Sequence, residues 1–167
     1  MHSNVVSRRK RSRDELFVEQ AREFTELRGF LNHHGMNEER DAAGCWLIAW
    51  WDGEPVGVVA IETVIDAAAM RALTVAESKR RHGVGAALVA AARDAAHARG
   101  ARRLYALAAP TAADYLRRFG FTEVARAELA EALADTKVGA RWQKSPANFA
   151  AHTALCLDLA HYREIIR

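Results

Sequence analysis

One stretch, residues 70–100, limits most what this chain can become: MRALTVAESKRRHGVGAALVAAARDAAHARG. Residues 70–75 are a short apolar run that predicts a strand. From Val84 an Ala- and Leu-rich segment predicts a helix over 84–99, with Gly100 as its stop. The join is Arg80-Arg81-His82-Gly83-Val84-Gly85-Ala86. Glycines without side chains let a ligand approach the backbone there, and the free N–H groups of a helix start point at it. Lys79, Arg80 and Arg81 add positive charge, so the turn suits a phosphate-bearing ligand. Taken alone, R-x-x-G-x-G also fits an ordinary strand-to-helix turn, and the rest of the chain has to decide.

The 167 residues, half of them apolar, can bury a core without staples and predict a single domain over 1–167. Cys45 and Cys156 lie far apart and form no metal-ligand spacing, which suits a reducing compartment and predicts no metal. No apolar run approaches a membrane span, and the N-terminus lacks the apolar core of a secretion signal, so a cytoplasmic protein without a membrane partner is expected. The net charge of +3 is unevenly placed, with Arg8, Arg9, Lys10, Arg11 and Arg13 in one cluster. A nucleic-acid arm is one reading of that cluster. No aromatic residues interleave with it, which favours a solvated strand end and helix start and no nucleic-acid partner.

Along the chain, residues 4–9 are a candidate first strand. Ser12-Arg13-Asp14-Glu15 has capping-box spacing, and Leu16, Phe17, Phe24, Leu27 and Leu31 predict a helix that ends near Gly29 or His33-His34-Gly35. Residues 45–51 predict an aromatic strand, Asp52-Gly53 a hairpin turn, and 55–64 and 67–75 two further antiparallel strands. In the helix over 84–99, Val84, Leu88, Ala91, Ala92 and Ala95 form the sheet-facing stripe. Residues 103–109 predict a buried strand parallel to its predecessor across the helical crossover. A helix follows over 110–118, then a strand over 121–126, a short helix over 127–134, a loop over 139–146 and a last strand over 153–159. The fold class is therefore α/β (α+β), one domain with a mixed sheet.

This order, with its basic glycine turn, resembles the GNAT superfamily of N-acetyltransferases. Arg80, Gly83 and Gly85 match the acyl-CoA loop Q/R-x-x-G-x-G/A. Arg71-Ala72-Leu73-Thr74-Val75 looks like the R-x-L-x-V strand before it, and Tyr115 to Phe121 resembles the Y-x-x-x-GF helix end. The resemblance covers roughly residues 45–126 and implies a mixed, mostly antiparallel central sheet flanked by helices on both faces. A narrower similarity, over Ile61-Glu62, the Arg71 strand, Leu104-Tyr105-Ala106-Leu107 and Thr111 to Tyr115, is to acetyltransferases encoded beside arsenic-resistance genes, some of whose relatives acetylate glutamate-like amino acids. Those proteins carry E-F-x-x-L-C-P before the last strand, and Ser145 stands here in place of that cysteine.

Acetyl transfer from a thioester to an amine requires a held pyrophosphate, an oriented thioester, a neutral amine and a thiolate able to leave. The resemblance implies acetyl-CoA as cosubstrate. It would be held by the backbones of Leu73, Thr74 and Val75 along its pantetheine arm, and by Arg80, Arg81, His82, Gly83, Val84, Gly85 and Ala86 at its phosphates. Many relatives carry glycine where Arg81 stands. Glu62 is the first candidate for general base, ahead of Asp66 and Glu77, with an exposed strand-end residue or a partner of Arg71 as its alternative. Arg71 is also a candidate for holding a substrate carboxylate. Tyr115 is a candidate acid one residue earlier than the usual tyrosine, whose position Leu116 occupies, and thiolate departure without a dedicated acid is an alternative. The acceptor site is expected between the first helix, the 32–41 loop and the 139–146 loop, with Trp142, Arg141 and His33 or His34 as lining candidates. The expected activity is direct transfer to the amine of a small molecule such as an amino acid, by a protein for which a homodimer is allowed. Modification of a protein N-terminus or lysine and a silent CoA-binding module are the alternatives.

Overall fold

Asp52 and Gly53, at φ 54° and 78°, make the tight turn that a type I′ hairpin demands, and they set the register of the sheet's centre. The computed structural model describes residues 15–35 and 44–160. Along the chain come β1 (Phe17–Gln20), α1 (Phe24–His33), β2 (Gly44–Trp51), β3 (Glu54–Thr63), β4 (Ala67–Val75), α2 (Val84–Ala98), β5 (Arg103–Ala108), α3 (Pro110–Arg117), β6 (Thr122–Glu123), α4 (Arg126–Ala132), α5 (Lys137–Lys144) and β7 (Thr153–Asp158). Single turns of 3₁₀ helix lie at Glu77–Lys79 and Pro146–Phe149. The strands form one sheet in the order β1-β2-β3-β4-β5-β7-β6, antiparallel throughout except for the parallel pair β4 and β5. The mixed, mostly antiparallel sheet with helices on both faces is as expected.

Alternation along the strands sorts the core into two sides. Leu47, Ala49, Val59, Ile61, Ala68, Met70, Leu104 and Ala106 pack with Leu88 and Ala92 of α2 and with Ala113 and Leu116 of α3. On the opposite side, Trp46, Ile48, Val58 and Ala60 pack under Leu27, Phe30 and Leu31 of α1. Beside them Ala67, Ala69, Tyr105 and Cys156 pack under Leu129 of α4 and Val138 of α5. Small residues bring α2 close to the sheet. A Cβ on Gly57 would meet the Leu88 side chain at 2.8 Å and the Thr74 carbonyl at 3.0 Å. Within α2 the fully buried positions are Val84, Leu88, Val89, Ala92 and Ala96, while Ala91 and Ala95 of the expected stripe are half-buried.

Four local expectations meet a different structure. Residues 17–20, placed at the start of the first helix, form an edge strand, because Phe17 and Val18 can extend β2 through the pairs Phe17↔Trp50 and Val18↔Ala49. The helix therefore begins only at Phe24, and it runs through Gly29. The strand over 121–126 shortens to Thr122–Glu123, since Ala125 already caps α4. Most of the 139–146 loop belongs to the helix α5, whose start is held by its Thr136 cap and by the Glu62 carboxylate of β3. The strand at 4–9, the first three residues of the capping box, and the 36–41 part of the acceptor loop lie outside the described residues.

Candidate active site

The parallel pair β4 and β5 is short: Ala67, Ala68 and Ala69 pair with Arg103, Leu104 and Tyr105, and no further. Beyond that point β4 stays with β3 as far as Val75, and β5 stays with β7 as far as Ala108. The two strands therefore part, and their facing edges offer backbone N–H and C=O groups to a ligand in the gap. A bulge promotes the parting. Ala60 pairs with Arg71 but Val58 with Thr74, so Ala72 and Leu73 oppose Val59 alone, with Ala72 at φ 58°. Leu73, Thr74 and Val75, expected along a pantetheine arm, all lie in this parted segment.

At the end of β4 the chain enters the basic turn. Gly83 caps α2 at φ 81°, a left-handed geometry that needs no Cβ, and Arg81 sits at φ 66° without that freedom. The first intrahelical bond of α2 runs from Ala87 N–H to the Gly83 carbonyl, so the amides of Val84, Gly85 and Ala86 precede it at the positive end of the helix. The basic side chains are tied back around this turn. Arg80 Nε donates to the Val75 carbonyl at 3.3 Å, and His82 Nδ1 bonds to the Arg80 carbonyl at 2.8 Å. Lys79 Nζ stands 4.7 Å from the ring centre of Trp51, whose indole also meets the His82 ring edge-on. The hairpin tryptophan thus braces the basic turn, a role that only the fold reveals.

Tyr115 belongs to this end of the site. It packs on the α2 side of the sheet, and a Cβ on Gly85 would collide with its hydroxyl, so Gly85 is the residue that makes room for the phenol. Burial raises the Tyr115 pKa, and the Arg118 charge opposes that rise. Leu116 is buried in the core.

Glu62, Arg71 and Trp142 lie on the other face. The Arg71 guanidinium stands 5.3 Å from the ring centre of Trp46, which is buried under α1. Trp142 of α5 packs against the cluster in which Ala67, Ala69 and Tyr105 of the paired part of β4 and β5 meet Leu129, Leu133 and Val138. Glu62 is 4% exposed, so it is not an exposed strand end, and its carboxylate accepts hydrogen bonds from the amides of Lys137 at 2.7 Å and Val138 at 3.2 Å. Of the two catalytic candidates, then, Glu62 stands on the α5 face and Tyr115 on the α2 face, and the structure does not bring them together. His33 and His34 line a cavity of about 980 Å³ together with Phe30, Glu54, Glu77 and Arg80, which joins the end of α1 to the phosphate turn. The sequence marks Trp46 as a strand-core residue and Gly139 as a loop residue, and Thr136 goes unread although a threonine before a helix is an N-cap signal.

Among the described residues no group of three or more His, Cys, Asp or Glu side chains is arranged to hold a metal, and no helix is long and apolar enough to cross a membrane.

The fold has many solved counterparts. N-acetylglutamate synthase from Neisseria gonorrhoeae, in complex with coenzyme A and N-acetylglutamate, superposes with a TM-score of 0.64 at 21% identity, over 89% of this chain and 36% of that one. The present chain thus spans about a third of that enzyme. The ribosomal-protein-S18-alanine N-acetyltransferase of Escherichia coli gives 0.63 at 15% identity, over 87% of this chain and 95% of that one. A GNAT-family acetyltransferase from Staphylococcus aureus gives 0.62 at 15%, over 87% and 99%. No curated protein sequence matches the chain. The family model for acetyltransferases of the GNAT family matches residues 9–121, which include the bulged strand, the phosphate turn and the Tyr115 helix, and the chain belongs to that family.

Proposed function

We propose that the protein transfers the acetyl group of acetyl-CoA directly to the amine of a small molecule, an amino acid being the favoured class. The observation that carries this reading is Arg71. Its guanidinium is seated on the Trp46 ring, on the face where β4 and β5 part, as an anchor for a carboxylate beside the thioester would be. The neighbour from N. gonorrhoeae, complexed with coenzyme A and N-acetylglutamate, and the residues shared with arsenic-associated acetyltransferases support the same class.

In this reading the amides of residues 81–86 hold the pyrophosphate, with Arg80 supplying charge, and the parted edge at Leu73, Thr74 and Val75 aligns the pantetheine arm. The amine nitrogen attacks the thioester carbonyl carbon, the C–S bond breaks, and the pair of electrons leaves with sulfur. The amine loses one proton as the amide forms, and the thiolate takes one up. Tyr115, whose phenol burial keeps protonated, is the acid assigned to that thiolate. The product amide has no basic nitrogen and the free thiol is released.

A second reading, acetylation of a protein N-terminus, is favoured by the open cavity beside His33 and His34 and by the length match to the ribosomal-protein acetyltransferase. One experiment separates them. Purified protein is mixed with acetyl-CoA and a panel of L-amino acids, simple amines and short peptides, and free thiol is followed. Release with an amino acid, lowered at least tenfold in Arg71→Ala through the acceptor KM, is expected. Release with peptides alone selects the second reading. Thermal stabilisation by acetyl-CoA with no release from any amine would leave a binding module and overturn both.

A further inference from the structure

Leaving aside aromatic and sulfur side chains, the described residues bury only two polar groups to under a tenth exposure, Glu62 at 4% and Thr136 at 3%. Both serve one helix start. Thr136 Oγ1 accepts from the Gly139 amide at 2.9 Å while donating to the Leu133 carbonyl at 2.7 Å. Glu62 takes the two preceding amides, those of Lys137 and Val138. The first three amide donors of α5 are thus all satisfied from within the protein, and a buried anion sits at the helix's positive end. The corner admits no slack, since a Cβ on Gly139 would collide with the Leu133 carbonyl oxygen.

We propose that Glu62 is a positioning residue, whose carboxylate fixes the first turn of α5 and so holds Trp142 on the acceptor face where β4 and β5 part. A general base must present a lone pair to the substrate at hydrogen-bond distance. Each oxygen of Glu62 already accepts from an amide of α5, and almost no surface of the residue is open. Its location between the end of β3 and α5 instead makes it a tie between the sheet and the helix. The tie crosses 75 residues of sequence. Val138 and Trp142 of α5 pack in the cluster that contains Ala67, Ala69 and Tyr105, so a displaced first turn would move the wall of the acceptor site without disturbing residues 80–86, which belong to no part of that cluster.

The inference rests on the reading of that face as the acceptor side. Three proteins test it: wild type, Glu62→Gln and Thr136→Ala, the last weakening the same cap with a side chain that is no general base. Hydrogen–deuterium exchange is followed in peptides covering 137–144, and thiol release is followed against pH with acetyl-CoA and L-glutamate. Both variants should exchange at least about tenfold faster over α5. Both should raise the acceptor KM about tenfold with kcat changed less than about threefold, and should keep the acidic limb of kcat/KM where the wild type has it. A fall in kcat of about a hundredfold or more in Glu62→Gln, with that limb flattened and Thr136→Ala unaffected, would make Glu62 a proton acceptor and overturn the proposal. So would unchanged exchange over α5 in Glu62→Gln. Should the wild type turn over an alanine-initiated peptide but no L-amino acid of the panel, the amino-acid reading fails, and the same three-protein comparison is made with the peptide.

Discussion

Arg81→Gly should stabilise the protein, although it removes a charged residue from the cofactor turn. Arg81 holds φ 66°, where an L side chain crowds its own backbone. That conformation costs a non-glycine residue about 1–2 kcal/mol. Glycine escapes the cost but gives the unfolded chain more freedom, which takes back about 0.4–1 kcal/mol. The net gain is about 0–1.6 kcal/mol with its centre near 0.8, and for a chain of this size the central value raises the melting temperature by about 2–3 °C. The residue is exposed, so no lost packing offsets the gain. Arg81→Ala is the control, because it removes the same charge and keeps the strained backbone; its melting temperature should stay within about 2 °C of the wild type. Thermal melts of the three proteins, without ligand and with saturating acetyl-CoA, decide the matter. If the turn binds phosphate through its amides, the glycine variant keeps the acetyl-CoA shift to within about threefold in Kd. A glycine variant that melts at or below the alanine variant would show that the backbone of Arg81 is not under strain, and the reasoning would fail.

Two further outcomes are expected. Gly85→Glu should abolish the acetyl-CoA thermal shift, because it sets a negative charge at the phosphate end of α2 and drives a side chain into the Tyr115 hydroxyl; an unchanged shift would remove the phosphate site from this turn. Burial lifts the Cys156 thiol from 9.0 to about 11, against a lowering by the Arg103 charge. Below pH 9 folded and unfolded chains both hold this proton, and between pH 9 and 11 only the folded chain does, so stability falls as pH rises through that window. Urea midpoints at pH 8 and 11 should show a loss from this thiol of about 1–2 kcal/mol, absent in Cys156→Ala; equal losses in both proteins would contradict the assignment.

The elements legible in the sequence are those whose determinants are local. The Asp52-Gly53 turn specifies its own left-handed geometry, and β2 and β3 follow from it as the expected antiparallel pair. The turn into α2 is legible for the same reason: two glycines, a run of cations and a helix start stand within a few residues of one another. Where a neighbour in space decides, sequence reading fails. Residues 17–20 carry a pattern compatible with a helical stripe, yet the free edge of β2 offers this segment four paired positions, and pairing wins over propensity. Arg71 stands out in the sequence as a candidate carboxylate ligand but not as a guanidinium over Trp46, since those residues belong to different strands.

The 139–146 segment shows the limit most plainly. Gly139, Ser145 and Pro146 look like loop residues, and an isolated eight-residue helix is marginal in water. Its stability comes from outside: a threonine cap, two amides given to a carboxylate 75 residues upstream, and an inner side, with Val138 and Trp142, set against β4 and β5. The glycine that argues for a loop is needed for the helix, because only a residue without Cβ fits beneath the Leu133 carbonyl at the α4–α5 corner. The same contacts give Glu62 its meaning. Viewed along the sequence it is a carboxylate near a thioester site, and chemistry suggests a base. Viewed in the fold its two oxygens take the first two amides of α5, and on the proposed reading of that face as the acceptor side, a residue so placed would govern which amines enter before it governs how fast they react.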